Sequence, residues 1–405
     1  MIDNPSVELP IDSSGEMDSA GHLLAPGKSR PTWAEINLDN LVHNLRLMKQ
    51  LVGPDVAIMS AVKADAYGHG AVRCAKVLEA AGVDWFGVAL PEEGVKLREA
   101  GITLPILCLG GFWEDQEDLL IASGMTPVVS RIDDLARLDT AAFAAGRVAL
   151  YHLKVDTGMG RLGVSLGELN AFLDAANDLK NIRLDGIMTH LASADVPELV
   201  DFTANQLKLF NSAVAGVKER GHKPAWVHTA NSAATLAFPN SRGNLVRLGG
   251  ALYGVWRDVT DPAYGSMDLQ PVMSVRSAIM LVKKYQAGAR IGYGSTFTTQ
   301  RESSIAIVPI GYSDGLQRSL SNCGALLVRG RLAPIVGRVS MDLTTIDVTD
   351  IPAVSVGDEV VVVGSQQGRS ITAEALAARC GTISYEITCG LSDRVPRVYL
   401  SSGGL

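Results

Sequence analysis

From Trp33 onward, short apolar runs alternate with amphipathic stretches whose apolar positions recur at helical spacing. Eight strands are predicted, at Val56–Val62, Trp85–Leu90, Pro105–Leu109, Thr126–Val129, Val148–Val155, Leu184–Thr189, Ala225–His228 and Leu245–Leu248. Helix-period segments fill most of the intervals, and several end at a glycine suited to the left-handed C-terminal cap: Gly82, Gly101, Gly124, Gly146 and Gly221. Pro91, directly after a strand, suits the first turn of a helix, where its missing N–H goes unused. Eight βα units over about 220 residues match a (β/α)8, TIM-like barrel. The pattern alone leaves an open, doubly wound sheet as the alternative.

After about Asp268 the helical period nearly stops and period-two, β-branched runs take over. Val272–Lys283, Ser304–Ile310, Ala325–Val328, Leu343–Val348 and Glu359–Val363 read as strands, with one helix at Thr372–Cys380. The expected organisation is therefore a disordered or loosely attached extension over residues 1–31, an α/β barrel over 32–268 and a mostly β domain over 269–405. The strand-like segment Thr32–Leu38 is free to pair with that second domain.

Composition narrows the class. The chain has 405 residues, 47% of them hydrophobic, and its net charge of -7 is scattered in both signs. It carries no basic tract for nucleic acid and no polybasic or long apolar anchor for a membrane. The five cysteines form no CxxC pair, so neither a zinc site nor a complete disulfide framework is indicated, and a reducing, cytoplasmic setting is expected. The first thirty residues are rich in Ser, Asp, Gly and Pro and lack the apolar core of a secretory signal.

The chemistry starts at Ala61-Val62-Lys63-Ala64-Asp65-Ala66-Tyr67-Gly68-His69-Gly70, which sets one lysine at the C-terminal end of an apolar strand, where β/α folds gather their reactive groups. Other strands end in polar residues at the same mouth. Strand five runs into Lys154 to Arg161, strand six into Thr189-His190, strand seven into His228 to Ser232, and strand eight into Arg247-Leu248-Gly249-Gly250. The Ser232 hydroxyl and the backbone N–H groups of Gly249 and Gly250 are suited to cradle a phosphate, because glycine lets the backbone approach an anion closely. A reactive lysine, a phosphate cradle and no nucleotide motif together suggest pyridoxal 5'-phosphate held as a Schiff base.

Lys63-Ala64-Asp65-Ala66-Tyr67-Gly68-His69-Gly70 resembles the cofactor-lysine signature of alanine racemases, fold type III pyridoxal-phosphate enzymes. The resemblance covers nearly all of residues 32–400 and continues, in order, through Lys154 to Gly163, His228 to Ala234, Val246 to Gly254, Gly292 to Thr296, Pro309 to Gly315, Gly337 to Asp342 and Ile383 to Val398. It implies that Lys63 bonds the cofactor, that Tyr67, Ser232, Gly249, Gly250 and Tyr385 hold its phosphate, and that Arg247 faces its pyridine nitrogen. An arginine there disfavours the protonated ring, which suits a racemase by limiting side reactions. His228 would orient Arg247 with Asn231 in support, and His190 would stack near the ring.

Racemisation needs a base on one face of the α-carbon and an acid on the other. The resemblance implies Lys63 for one and Tyr293, in Gly292-Tyr293-Gly294-Ser295, for the other. Family members are head-to-tail homodimers in which such a tyrosine and Met341 reach the partner's barrel. In that picture Arg161 and the Met341 N–H hold the substrate carboxylate, Tyr312 is a further tyrosine of the site, and Lys154 matches a lysine that is often carbamylated. Tyr385 and Ile383 would narrow the pocket, with Asp195, Arg318 and Arg338 at its entrance. Ser340 departs from the family, where cysteine often precedes Met-Asp. The implied activity interconverts L-alanine and D-alanine and supplies D-alanine for peptidoglycan. A broad-spectrum or serine racemase is the neighbouring alternative. A non-catalytic cofactor carrier would need neither the β domain nor Tyr293, and a decarboxylase of this fold type would put an acidic partner where Arg247 stands.

Overall fold

The computed structural model describes residues 30–255 and 267–402. The extension expected over residues 1–31 falls almost wholly outside them. Two compact units are present. One comprises Glu35–Ser274, Thr372–Ser392 and the tail from Tyr399; the other comprises Val275–Ile371, Asp393–Val398 and the chain before Glu35. The division drawn from sequence at residue 269 differs from this, because it groups 372–392 with the β region. Helical period identifies helices there but does not say which unit they cover.

In the first unit the barrel strands are β2 (Ala57–Ala61), β3 (Trp85–Val88), β4 (Ile106–Cys108), β5 (Thr126–Val129), β6 (Ala149–Asp156), β8 (Ile182–Met188), β9 (Trp226–His228) and β10 (Leu245–Leu248), with a two-residue strand β7 (Val164–Ser165) beside β6. All pair in parallel in the order β10, β2, β3, β4, β5, β6, β8, β9. Two backbone bonds join the ends of this order, Asn244 N–H to Val227 O at 3.1 Å and Arg247 N–H to Ala230 O at 2.9 Å, so the barrel is nearly closed. That excludes the open-sheet alternative.

These strands read as continuous apolar runs because both of their faces are covered. Met59, Trp85, Leu107, Val128, Met188 and Leu245 pack together in one buried cluster. Val129, Tyr151, Leu153, Val155 and Ile187 pack in another with the helices, on residues such as Leu135, Leu138 and Phe210. The helices are α1 (Leu38–Val52), α3 (Ala71–Ala80), α4 (Pro91–Glu99), α5 (Glu117–Ala122), α6 (Ile132–Ala144), α7 (Leu169–Ala176), α8 (Val200–Glu219) and α9 (Ser232–Ala237), after the short turn α2 (Lys63–Tyr67). In α1, Leu41, Leu45, Met48 and Val52 recur at helical spacing on the buried face, and Asn37 caps the start by accepting the Asn40 N–H at 3.0 Å. Helices α10 (Ala373–Cys380) and α11 (Ser384–Cys389) also belong to this unit.

The other unit is mostly β. Its main sheet runs β17 (Arg331–Pro334), β16 (Ala325–Val328), β19 (Glu359–Gln366), β11 (Met273–Ala278), β1 (Thr32–Asn37) and β21 (Arg397–Leu400), with β20 (Arg369–Ile371) on β19. A three-stranded sheet joins β12 (Leu281–Tyr285), β15 (Ser303–Val308) and β18 (Thr344–Asp347), and β13 (Arg290–Ile291) pairs with β14 (Phe297–Thr298). The run read as one strand over Val272–Lys283 is thus two, β11 and β12, in different sheets. Continuous β-branched sequence does not reveal a change of sheet.

Candidate active site

The barrel mouth holds a cavity of about 610 Å³ whose lining includes Lys63, Tyr67, Lys154, Arg161, His190 and Asp195, and further round Asn231, Ser232, Arg247, Gly249, Gly250 and Tyr385. Twelve of the residues singled out in the sequence are thereby gathered at one place. Strand geometry explains much of this. Residues two apart on a strand share a face, so a polar residue at the C-terminal end of each strand, on the inward register, points into the mouth.

Lys63 opens a backbone feature with no signal in the sequence. Ala64, Asp65, Ala66 and Tyr67 all have positive φ, between 51° and 55°, so α2 is a left-handed turn. Each such residue costs roughly 1–2 kcal/mol without glycine's freedom. Its neighbours hold it there. Glu93 accepts the Ala64 N–H at 2.7 Å, Asp65 accepts the Ala71 N–H at 2.7 Å, and His69 Nδ1–H lies 2.9 Å from Ala66 O and 3.0 Å from Tyr67 O. The His69 ring stacks on Tyr253 at 4.6 Å, and Tyr253 donates its hydroxyl to Ala61 O at 3.0 Å. The turn has only glycine's clearance at Gly68, where a Cβ would run into the Thr388 carbonyl of α11.

The glycine pair is a shaped cradle. A Cβ on Gly249 would lie 2.5 Å from the Tyr67 hydroxyl oxygen, and one on Gly250 would collide with that of Tyr385. Ser232 Oγ accepts the Gly249 N–H at 3.0 Å. Burial pushes the Tyr67 phenol up to about 12, so its hydroxyl stays a donor. Asn231 is the cap of α9, accepting the Ala234 N–H at 2.9 Å. With Lys63, Lys154, Arg161 and Arg247 against the single carboxylate of Asp195, the lining is strongly cationic and fits an anionic group.

Arg247 is fixed from several sides. Nη1 donates to His228 Nδ1 at 3.0 Å and His228 O at 3.1 Å; Nη2 donates to Thr189 O and Thr229 O, both at 2.9 Å, and lies 3.3 Å from His190 Nδ1. Burial lowers its pKa to about 10, so it remains a cation at neutral pH. Burial and then Arg247 hold His190 down to about 3 and His228 well below the usual range, so both imidazoles are neutral. Lys154 is depressed to about 8, by burial first and then by Arg247 and Arg161. Lys63 is lowered by burial and by Arg161, which raises its uncharged fraction.

The remaining sequence candidates are placed elsewhere. His228 stands behind Arg247 rather than on the cavity wall, and Ile383 is half-exposed at the start of α11. Tyr293, Tyr312, Arg318, Arg338 and Met341 belong to the β unit. Tyr293 sits between Gly292 and Gly294, both at positive φ, on a turn overlaid by Arg338, and is 72% exposed. Tyr312 N–H donates to Ser340 O at 3.0 Å, and Ser313 donates through N–H and Oγ to Met341 O at 3.1 and 2.6 Å. Arg394 clamps both loops, at 2.6 Å from Ser313 Oγ and 2.7 Å from Asp342 Oδ1. The Ser340 hydroxyl closes its own turn, donating to Leu343 O at 2.7 Å. The sequence reading did not single out Glu93, the clamp at Arg394, Cys389 on the cavity wall, or His152 behind His228. Only His152 left a sequence signal, since it and Lys154 interrupt an apolar strand at a spacing of two.

Fold and cavity together define a class: a barrel enzyme with a desolvated lysine facing a cationic, glycine-floored pocket. Comparison with known proteins carries this to the family. The model for the alanine racemase N-terminal domain matches residues 36–256, and that for the alanine racemase C-terminal domain matches residues 272–399. The alanine racemase of Halothermothrix orenii is 45% identical over 378 residues, covering 93% of this chain and 98% of that protein. That of Sorangium cellulosum is 46% identical, covering 91% and 99%. Among solved structures, the alanine racemase from D-cycloserine-producing Streptomyces lavendulae superposes with a TM-score of 0.87 at 37% identity, covering 94% and 99%. The Bartonella henselae alanine racemase, solved with covalently bound pyridoxal phosphate, does so with a TM-score of 0.83 at 30% identity, covering 92% and 100%. The chain belongs to the alanine racemase family, whose enzymes depend on pyridoxal phosphate. Among the described residues no helix is long and apolar enough to cross a membrane.

Proposed function

We propose that this chain interconverts L-alanine and D-alanine with pyridoxal 5'-phosphate in the barrel cavity, by proton transfer from Lys63 on one face of the α-carbon and Tyr293 of a second copy on the other. The observation that carries the reading is the cavity itself, which places Lys63, Arg247 and the Gly249–Gly250 cradle on one lining. When bound, the cofactor supplies an aldehyde for the amine and an electron-poor ring that acidifies the α-proton.

The chain's own residues do the rest. Lys63, whose pKa burial lowers, would be the residue that bonds the cofactor and that exchanges a proton on one face of the α-carbon. Tyr67, Tyr385, Ser232 and the N–H groups of Gly249 and Gly250 hold the phosphate. Arg247 would face the ring nitrogen and disfavour its protonation, and His190, neutral and hydrogen-bonded to Arg247, would lie near the ring. Arg161 and, from the second copy, the N–H of Met341 would hold the substrate carboxylate; Ser313 anchors the Met341 loop through its carbonyl. Lys154 is repelled by two guanidinium groups, and its lowered pKa raises the fraction of neutral amine, which carbon dioxide would convert to a carbamate with loss of a proton. That change replaces repulsion of Arg161 by attraction.

Tyr293 is 72% exposed on its turn, and in the proposed homodimer it serves the site of a second copy, with Asp195, Arg318, Arg338 and Ile383 around the entrance. The product D-alanine serves peptidoglycan synthesis in the cytoplasm. A chiral chromatographic time course tests the reading. L-alanine and D-alanine should each converge to an equal mixture, with L-serine and larger amino acids much slower. Comparable rates across the panel would make it a broad-spectrum racemase, and no turnover by cofactor-loaded protein would reject the activity.

A further inference from the structure

A line of buried side chains runs from the cavity back into the barrel, and the reading above uses only the first two, Arg247 and His228. An arginine only donates, so His228 accepts at Nδ1, 3.0 Å from Nη1. A neutral His228 then carries its proton on Nε2, which lies 2.9 Å from Nδ1 of His152. That nitrogen accepts in turn, so a neutral His152 keeps its proton on Nε2. Burial holds both imidazoles below their ordinary range and therefore uncharged. The last N–H is buried, makes no hydrogen bond, and faces the Asp185 carboxylate at 3.8 Å. Proton positions are thus set along the whole line by the arginine at its head.

Two backbone features are shaped around it. The β6–β8 ladder slips at this level: Tyr151 pairs with Leu184 and His152 with Gly186, so Asp185 is the extra residue of a bulge. Bulges re-aim a side chain next to a site. The following residue is a glycine whose Cβ would stand 2.6–2.7 Å from three atoms of the His152 ring. Trp85 lies 5.5 Å away, centroid to centroid.

We propose that His152 and Asp185 are positioning residues for Arg247. The bulge and Gly186 hold His152 where it sets the tautomer and plane of His228, and the Asp185 charge draws the far N–H and so orients the line. Each imidazole turns its lone pair toward the guanidinium and its N–H toward the carboxylate. This arrangement steadies a buried cation without placing a full negative charge beside the cofactor. The proposal rests on the reading in which Arg247 faces the ring nitrogen.

The test uses cofactor-loaded enzyme labelled with 15N in the histidine side chains. In the unmodified protein His228 and His152 should both be protonated at Nε2 alone. His152→Leu should lower kcat about 10–100-fold, as misplacement of a catalytic group does, with little change in the KM for alanine and a shifted cofactor absorption band. His152→Gln restores an acceptor and should recover much of the loss, and Gly186→Ala, which alters no titratable group, should follow His152→Leu. Protonation of His228 at Nδ1 would overturn the proposal, as would folded His152→Leu or Gly186→Ala enzyme with unchanged kcat and absorption. Arg247→Lys is the control. If it leaves absorption and kcat untouched, the placement of Arg247 at the ring fails, while the tautomers still decide the relay on their own. Should His152→Leu not fold, the tautomers and Gly186→Ala decide it.

Discussion

The barrel unit sinks several of its site side chains, though Arg161 is exposed, and the β unit holds its candidates out. Lys154, Arg247 and His228 are 4%, 5% and 0% exposed, whereas Tyr293, Met341 and Tyr312 are 72%, 53% and 42% exposed. Both regions are braced. Arg247 is gripped by three carbonyls and two histidines, and the Tyr312 and Met341 loops are tied together through Ser313 and Arg394. The difference lies in solvent. Burial already lowers the pKa of Lys63, Lys154 and His190, while Tyr293 stands in solvent. In the proposed dimer the exposed Tyr293 hydroxyl would be covered by a second copy.

The contrast can be sharpened by removing one group from each region. The largest effect is expected for Tyr293→Phe, which should cut kcat about 10²–10⁴-fold, the usual worth of a positioned acid or base, and leave cofactor affinity unchanged. Absorbance titration with pyridoxal phosphate alongside racemisation rates checks both halves. In the barrel, Gly250→Ala should act the other way round. Its methyl collides with Tyr385, and overpacking of about 1–3 kcal/mol, if borne by the cofactor complex, translates into affinity roughly 5–150-fold weaker. Unchanged affinity would mean that the glycine floor is not the phosphate cradle.

A smaller effect follows from the buried imidazoles. His190 is held down to about 3, and His228 and His152 are lowered too. The unfolded chain takes up protons near pH 6.5 that the folded barrel refuses, so stability is lost as pH falls from 6.5 toward 3. Each histidine contributes at most about 1.4 kcal/mol per pH unit in that window. Urea unfolding at pH 7, 6 and 5 should show this slope, and His190→Gln should reduce it; an unaltered slope would mean His190 titrates alike in both states.

Sequence pattern located all eight barrel strands because parallel strands covered on both faces are unbroken apolar runs, and polar residues at their C-terminal ends stand out against them. Lys63, Lys154, His190 and Arg247 were legible for that reason. The turn after Lys63 was not, since Lys-Ala-Asp-Ala-Tyr favours a right-handed helix, and side chains such as Glu93, Asp65 and His69 hold the left-handed one. Asp185 was equally silent. A bulge moves it inward by a slip of one residue, which a period-two pattern cannot show. In the β unit, strands such as Arg331–Pro334 and Arg369–Ile371 are short and largely exposed, so they carry little apolar alternation to read.

Mixing two inactive variants tests the central claim most directly. Lys63→Ala lacks one proton-transfer group and Tyr293→Phe the other, and after co-refolding or co-expression about half of randomly paired dimers carry one chain of each kind. If Tyr293 serves the other chain's Lys63, each mixed dimer holds one intact site, and activity should return to about a quarter of the wild-type value per chain. If both groups act within one chain, every site in the mixture lacks one of them, and activity no higher than that of the separate variants would contradict the account.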